Sequence, residues 1–225
     1  MSLAEETTEI RDAHRFDTVA LERWLRDRIG SLPGSLHVRQ FAGGQSNPTF
    51  LLTAGEHCYV MRKKPPGKLL PSAHQVDREY RVMNALAGTG VPVPRMVGLC
   101  EDEAVIGTAF YVMDFVEGRI FRDMQLLPLS PAERSAVYDS MNESLAKLHK
   151  VDYRAVGLGD FGKPGNYFER QIGRWTKQYK AAETERVDSM ERLIEWLPAH
   201  IPADDSTTIR DGALSRRRSS RSVVR

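Results

Sequence analysis

One run in the sequence, Phe41-Ala-Gly-Gly-Gln-Ser-Asn-Pro-Thr-Phe50, has the residue types that suit an anion. Gly43 and Gly44 carry no Cβ, so backbone N–H groups there can approach a negative charge closely. Ser46 and Asn47 add a hydroxyl and an amide beside them. The same run also reads as a ligand-free hairpin turn, a common use of paired glycines. It is not a P-loop, because no Gly-Lys-Ser/Thr follows. Downstream stand a cation, Arg62 (or Lys63 if the strand register is shifted by one), and a carboxylate, Glu79. A basic side chain reaching from a strand and held by a helix glutamate makes a grip for bound phosphates. Taken singly, Arg62 and Glu79 are equally readable as surface charges. A third stretch, Phe110-Tyr-Val-Met-Asp-Phe-Val-Glu-Gly118, runs from an apolar strand into a short connector. Its backbone near Asp114–Val116 suits hydrogen bonding to the edge of a purine base, though a buried strand ending in a turn has the same pattern.

These side chains need elements to hold them. Asp17 reads as an N-cap, with Leu21, Trp24, Leu25 and Ile29 at helical spacing before Gly30. Three β-like runs follow, Leu36–Phe41, Thr49–Thr53 and His57–Arg62, separated by the Gly-rich run and by Ala54-Gly55, as in an antiparallel meander. Ser72 is the expected cap of a helix to about Ala87, carrying Val76, Tyr80 and Met83 on one face. After Val91-Pro92-Val93-Pro94, which is forced into extended backbone, Met96–Cys100 and Ala109–Phe115 are further strands. Pro131 suits a first helical position, and Val137, Met141, Leu145 and Leu148 line one helix face. Gly165–Ala181 and Glu185–Leu197 also read as helical. A β-rich first half and a helical second half predict an α+β chain of two lobes.

Composition narrows the class. At 41% hydrophobic and 28% charged, the 225 residues are ordinary for a globular protein. No apolar run reaches the ~20 residues of a membrane span, and the polar start to Asp17 is not a secretory leader. Two cysteines, Cys58 and Cys100, suit a reducing, intracellular setting rather than a disulfide framework. The net charge of +2 divides unevenly. Residues 210–225 hold six arginines and one aspartate, a charge of +5, and leave −3 on the first 209. Arg216-Arg217-Arg218-Ser219-Ser220 would suit RNA, import or phosphorylation, but with no aromatic platform nearby nucleic acid is a poor fit. The tail is read instead as disordered and foreign to the preceding fold.

The stretch from about His14 to Pro202 resembles the aminoglycoside-phosphotransferase (choline-kinase-like) family. Within that family it resembles the kinase-like N-terminal part of acyl-CoA dehydrogenase family members ten and eleven. The resemblance rests on Gly-Gln-Ser-Asn-Pro-Thr-Phe (44–50), Tyr-Val-Met-Arg-Lys-Lys-Pro-Pro-Gly (59–67) and Leu-Leu-Pro-Ser-Ala-His (69–74). Asp-Arg-Glu-Tyr-Arg-Val (77–82), Gly-Arg-Ile-Phe-Arg-Asp (118–123), Leu-Ser-Pro-Ala-Glu-Arg-Ser-Ala (129–136) and Trp-Thr-Lys-Gln-Tyr (175–179) extend it. It implies a protein-kinase-like, two-lobed α+β fold. The expected divisions are a leading helical segment 1–34, a β-rich nucleotide-binding lobe 35–117, a partial helical lobe 118–209 and the tail 210–225. It also implies ATP as cofactor with Mg²⁺, and transfer of phosphate to a hydroxyl on a hydroxyacyl-CoA-type acceptor in fatty-acid oxidation. The implied nucleotide contacts are Gly43, Gly44, Ser46, Asn47, Arg62, Glu79, Asp114 and Val116. Mitochondria or peroxisomes are the implied compartment, or the cytoplasm if no targeting is supplied.

That chemistry also needs an aspartate facing the acceptor hydroxyl, an asparagine five residues later, and a second aspartate for the metal. None of the six histidines is followed by Gly, and no Asp has Asn five residues on. Asp160-Phe161-Gly162 spells the protein-kinase metal motif with no catalytic loop before it. His149-Lys150-Val151-Asp152 has Gly157 where the asparagine belongs, and Ile209-Arg210-Asp211 has Arg216. The sequence therefore predicts no catalytic and no metal-binding residue in this chain, hence an inactive, truncated member with at most weak nucleotide binding. The alternative is a non-catalytic isoform that engages a protein partner through the helical lobe and tail.

Overall fold

Asp17 starts the first helix, α1 (Thr18–Ile29), by accepting from the backbone N–H groups of Val19 and Ala20, both at 2.9 Å. Such a bond satisfies amides that the first helical turn leaves orphaned. The computed structural model describes residues 6–42, 47–67, 74–121, 123, 125–163, 165–203, 207–209 and 223–224. The expected Ser72 cap therefore lies outside the described residues, as does the tail apart from Val223 and Val224.

Six strands form one sheet: β1 (Thr7–Thr8), β2 (His37–Phe41), β3 (Thr49–Ala54), β4 (His57–Lys63), β5 (Met96–Cys100) and β6 (Phe110–Asp114). Their order is β1-β2-β3-β4-β6-β5, and every neighbouring pair is antiparallel. The turn between β3 and β4 needs Gly55. Its φ is +58°, and a Cβ there would meet the Pro33 carbonyl oxygen at 2.6 Å.

Strand side chains alternate between faces, so the register decides what each face holds. One face carries Phe50, Leu52, Tyr59, Met61, Phe110 and Val112, and α1 closes it with Leu21, Trp24 and Leu25. Trp24 meets Phe110 edge-on at 4.7 Å, and Phe16 meets Phe50 at 5.2 Å. The opposite face carries Leu51, Val60, Arg62, Tyr111 and Met113, and helix α2 (Val76–Ala85) packs there through Val76, Tyr80 and Met83.

The elements depart from expectation mainly at their ends. Helix α2 begins after Gln75, which makes no side-chain cap bond. The polar leader contributes the edge strand β1, and Glu103–Ile106 forms a one-turn helix, α3, capped by Asp102. The described residues up to Val151, with Val223 and Val224, make one compact unit. Within it, helix α4 (Pro131–Lys150) opens on a capping box between Ser130 and Glu133, and a short ladder pairs β7 (Arg119–Ile120) with β8 (Val223–Val224). Residues 152–209 make the other unit. There α5 (Tyr167–Ala182) and α6 (Asp188–Ala199) pack together, with Lys180 paired to Glu183 and Glu191. Among the described residues, no helix is long and apolar enough to cross a membrane.

Candidate functional site

Glu79, in the first turns of α2, is the hub of the polar residues on the second sheet face. Its Oε2 lies 3.1 Å from Arg62 Nη1 and accepts from the Tyr111 hydroxyl at 2.9 Å. Its Oε1 accepts from Asn47 Nδ2 at 3.0 Å. Asn47 Oδ1 in turn faces His74 Nδ1 at 2.8 Å, a contact that calls for the Nδ1–H form of the ring. Arg62 stands between Thr49 and Tyr111 in the ladder, and β4, β6 and Asn47 just before β3 meet α2 at one carboxylate. Tyr111 is fully buried, and burial pushes its hydroxyl above the usual phenol range while the Arg62 charge draws it part of the way back. The hydroxyl therefore stays protonated and donates to Glu79.

The register also separates the two candidate cations. Lys63 projects to the α1 face, where it is 4% exposed and its ammonium sits over the Phe16 and Phe50 rings at 5.2 and 6.0 Å. Burial there pushes it below the usual lysine range. Arg62 alone meets Glu79. Its Nε is buried with no hydrogen-bond partner among the described residues, a donor that remains to be satisfied.

Gly43, Gly44 and Ser46 lie outside the described residues, but both flanks of that run are anchored. The Ala42 N–H donates to the Glu6 carbonyl (3.0 Å), and the Lys63 N–H donates to the Pro48 carbonyl (3.2 Å). The connector after β6 is partly committed to the fold. The Asp114 carboxylate is gripped by Arg95 through two 2.8 Å bonds, its N–H donates to the Arg95 carbonyl, and the Phe115 N–H donates to the Cys58 carbonyl. Val116 makes no such bond among the described residues.

Sequence reasoning missed the apolar cluster on the sheet face that carries Arg62. Phe41, Leu51, Val60, Met113 and Phe115, with half-buried Cys58, form a cluster on the same face. Its only signal is strand alternation, which places Val60 and Arg62 on one face of β4 but does not reveal that the cluster adjoins an ion pair. The apolar cluster suits a flat base, and the orphan Arg62 Nε suits an anionic oxygen, so the site's chemistry fits a nucleotide. Among the described residues, no three His, Cys, Asp or Glu side chains converge. Asp152, of the false catalytic loop, caps a turn by accepting from the N–H groups of Arg154 and Ala155.

Residues 37–212 match the phosphotransferase enzyme family. Acyl-CoA dehydrogenase family member 10 of Mus musculus is 46% identical over 207 residues, which are 92% of this chain and 19% of that protein. Acyl-CoA dehydrogenase family member 11 of Homo sapiens is 44% identical over 205 residues, 89% of this chain and 26% of that one. The chain thus spans between a fifth and about a quarter of these relatives. Among solved structures, a Ralstonia eutropha protein assigned as an aminoglycoside phosphotransferase shares 57% identity at a TM-score of 0.71, covering 85% of this chain and 55% of its own. APH(2'')-IIa, solved with streptomycin and ATP, shares the fold at 17% identity and a TM-score of 0.50, covering 84% and 57%. A kinase-like α+β fold and these matches agree: the chain belongs to the phosphotransferase enzyme family.

Proposed function

We propose that these residues form the nucleotide-binding part of a small-molecule phosphotransferase, and that they bind ATP without transferring its phosphate on their own. The observation that carries this reading is the Arg62–Glu79 pair beside the apolar cluster of Phe41, Leu51, Val60, Met113 and Phe115. The cluster would take the base, the Val116 backbone its edge, and Arg62 with the run Gly43–Ser46 the phosphates, while Asn47 spends its amide on Glu79 and His74. ATP, when bound, supplies the transferable γ-phosphoryl group. The chain's own residues bind and orient it. Glu79 keeps the Arg62 guanidinium aimed along the sheet face, and Tyr111 and Asn47 keep Glu79 in place. No Asp with Asn five residues on occurs among the 225 residues, so no acceptor-activating step is assigned to them. The relatives are acyl-CoA dehydrogenase family members, which supports a hydroxyl on a hydroxyacyl-CoA as the proposed phosphate acceptor.

Calorimetric titration with ATP tests this. Saturable binding that Arg62→Ala abolishes is the expected result, and equal binding by the two proteins would refute the assignment. Metal-dependent phosphate transfer by the 225-residue polypeptide would refute its restriction to binding. A second reading, a protein-interaction role for residues 152–209, draws on the exposure of Trp175 (59%) and Trp196 (53%). It predicts that replacing both by Ser leaves ATP binding intact and removes any concentration-dependent association of the chain.

A further inference from the structure

Asn47 is 3% exposed, and each end of its side-chain amide is engaged. Nδ2 donates to Glu79 Oε1 at 3.0 Å, and Oδ1 faces His74 Nδ1 at 2.8 Å. Its own carbonyl accepts from Thr49 Oγ1 at 3.2 Å, which ties the residue to the start of β3. Asn47 also stands three residues after Gly44 in sequence. Few side chains could do this. The site needs a donor on one end and an acceptor on the other at this reach. Aspartate would set a second carboxylate against Glu79, and glutamine would be one methylene too long.

We propose that Asn47 and His74 are positioning residues for the phosphate grip. Asn47 fixes the Glu79 carboxylate and, through it, the Arg62 guanidinium; His74 acts by fixing Asn47. The inference rests on the nucleotide reading above and extends it to two residues that work through Glu79. His74 is held in left-handed backbone, φ 58°, two residues before α2, so its ring meets the amide from the loop that leads into the helix. A donor at that point settles which way the amide faces. With Oδ1 toward His74, Nδ2 must face Glu79; without that donor the amide is free to turn and present an oxygen to the carboxylate.

Separate titrations of the chain with ATP and with adenosine test this. In Asn47→Ala, ATP affinity is expected to fall on the order of tenfold, the scale of one lost hydrogen bond to a charged group. Adenosine affinity, which does not depend on the grip, should stay within about twofold on the same reasoning. His74→Ala should weaken ATP binding in the same way, and His74→Gln, which still offers an N–H to Oδ1, should recover part of the loss. The double variant Asn47→Ala/His74→Ala should bind ATP no worse than Asn47→Ala alone. Equal losses for ATP and adenosine, or additive losses in the double variant, would overturn the proposal, as would unchanged ATP binding in both single variants. If Asn47→Ala does not fold, the His74→Ala and His74→Gln pair with the two ligands decides alone. Failure of the unmodified chain to bind ATP would instead overturn the nucleotide reading, and this inference with it.

Discussion

Replacing Glu79 by Ala should destabilise the β-rich unit measurably, and the structure sets the size. The substitution removes the acceptor of the fully buried Tyr111 hydroxyl at 2.9 Å, and an unsatisfied buried donor costs about 1–3 kcal/mol. It also leaves the buried Asn47 amide without its acceptor, worth about 1 kcal/mol more. The Arg62 ion pair adds little, ~1 kcal/mol at most, because the two side chains are 31% and 34% exposed and solvent screens them. These terms share one carboxylate and do not add fully, so a loss of about 2–4 kcal/mol is expected. Urea unfolding read from Trp24 fluorescence reports on this unit. Trp24 is 7% exposed and packs on the sheet, whereas Trp175 and Trp196 are exposed and replaceable by Phe. With an m-value of ~2 kcal/mol/M, the midpoint should fall by roughly 1–2 M, and Glu79→Gln, which keeps one acceptor oxygen, by about half as much. A loss below ~0.5 kcal/mol, the range of ordinary surface substitutions, would refute the hub role of Glu79.

Three other outcomes follow from the structure. Burial holds the Lys63 pKa below its ordinary value, so protons bind it less well in the folded state than in the unfolded chain. Lys63→Met should therefore be more stable than the natural chain at neutral pH, and the gap should close as pH rises toward ~10.4; thermal melts showing a gap that widens with pH would contradict this. Gly55→Ala should cost about 1–3 kcal/mol in denaturant unfolding, because it combines positive φ with a 2.6 Å approach to the Pro33 carbonyl; a neutral result would mean the turn rearranges at no cost. Arg95→Ala should cost less than ~1 kcal/mol, with the difference shrinking in high salt, since Arg95 is 66% exposed; a larger, salt-independent loss would show that the Asp114 contact fixes the connector.

Much of the fold could be read from local chemistry. Asp17 caps α1 and Pro131 begins α4 as expected, and the expected turn between β3 and β4 falls one residue later, at Gly55-Glu56, because Ala54 pairs with His57. The elements that sequence reasoning missed are the short ones. Thr7–Thr8 and Glu103–Ile106 span too few residues for any period to show. The site was legible as a set of residue types but not as a register. A one-residue slip of β4 exchanges Arg62 and Lys63 between faces, and only pairing with Thr49 and Tyr111 decides which cation meets Glu79. Asn47 was legible as a polar neighbour of the glycines, whereas its bonds to Glu79 and His74 cross 32 and 27 residues of chain. The apolar cluster of Phe41, Leu51, Val60, Met113 and Phe115 reads in sequence as ordinary strand core, because alternation alone does not say which side chains of neighbouring strands meet.

Amide hydrogen exchange on the chain with and without ATP tests the central claim most directly. Slower exchange is expected along Thr49–Lys63 and from Phe110 to Val116, with no change across Tyr167–Ala182 and Asp188–Ala199. Protection confined to those two helices, or none at saturating ATP, would contradict it.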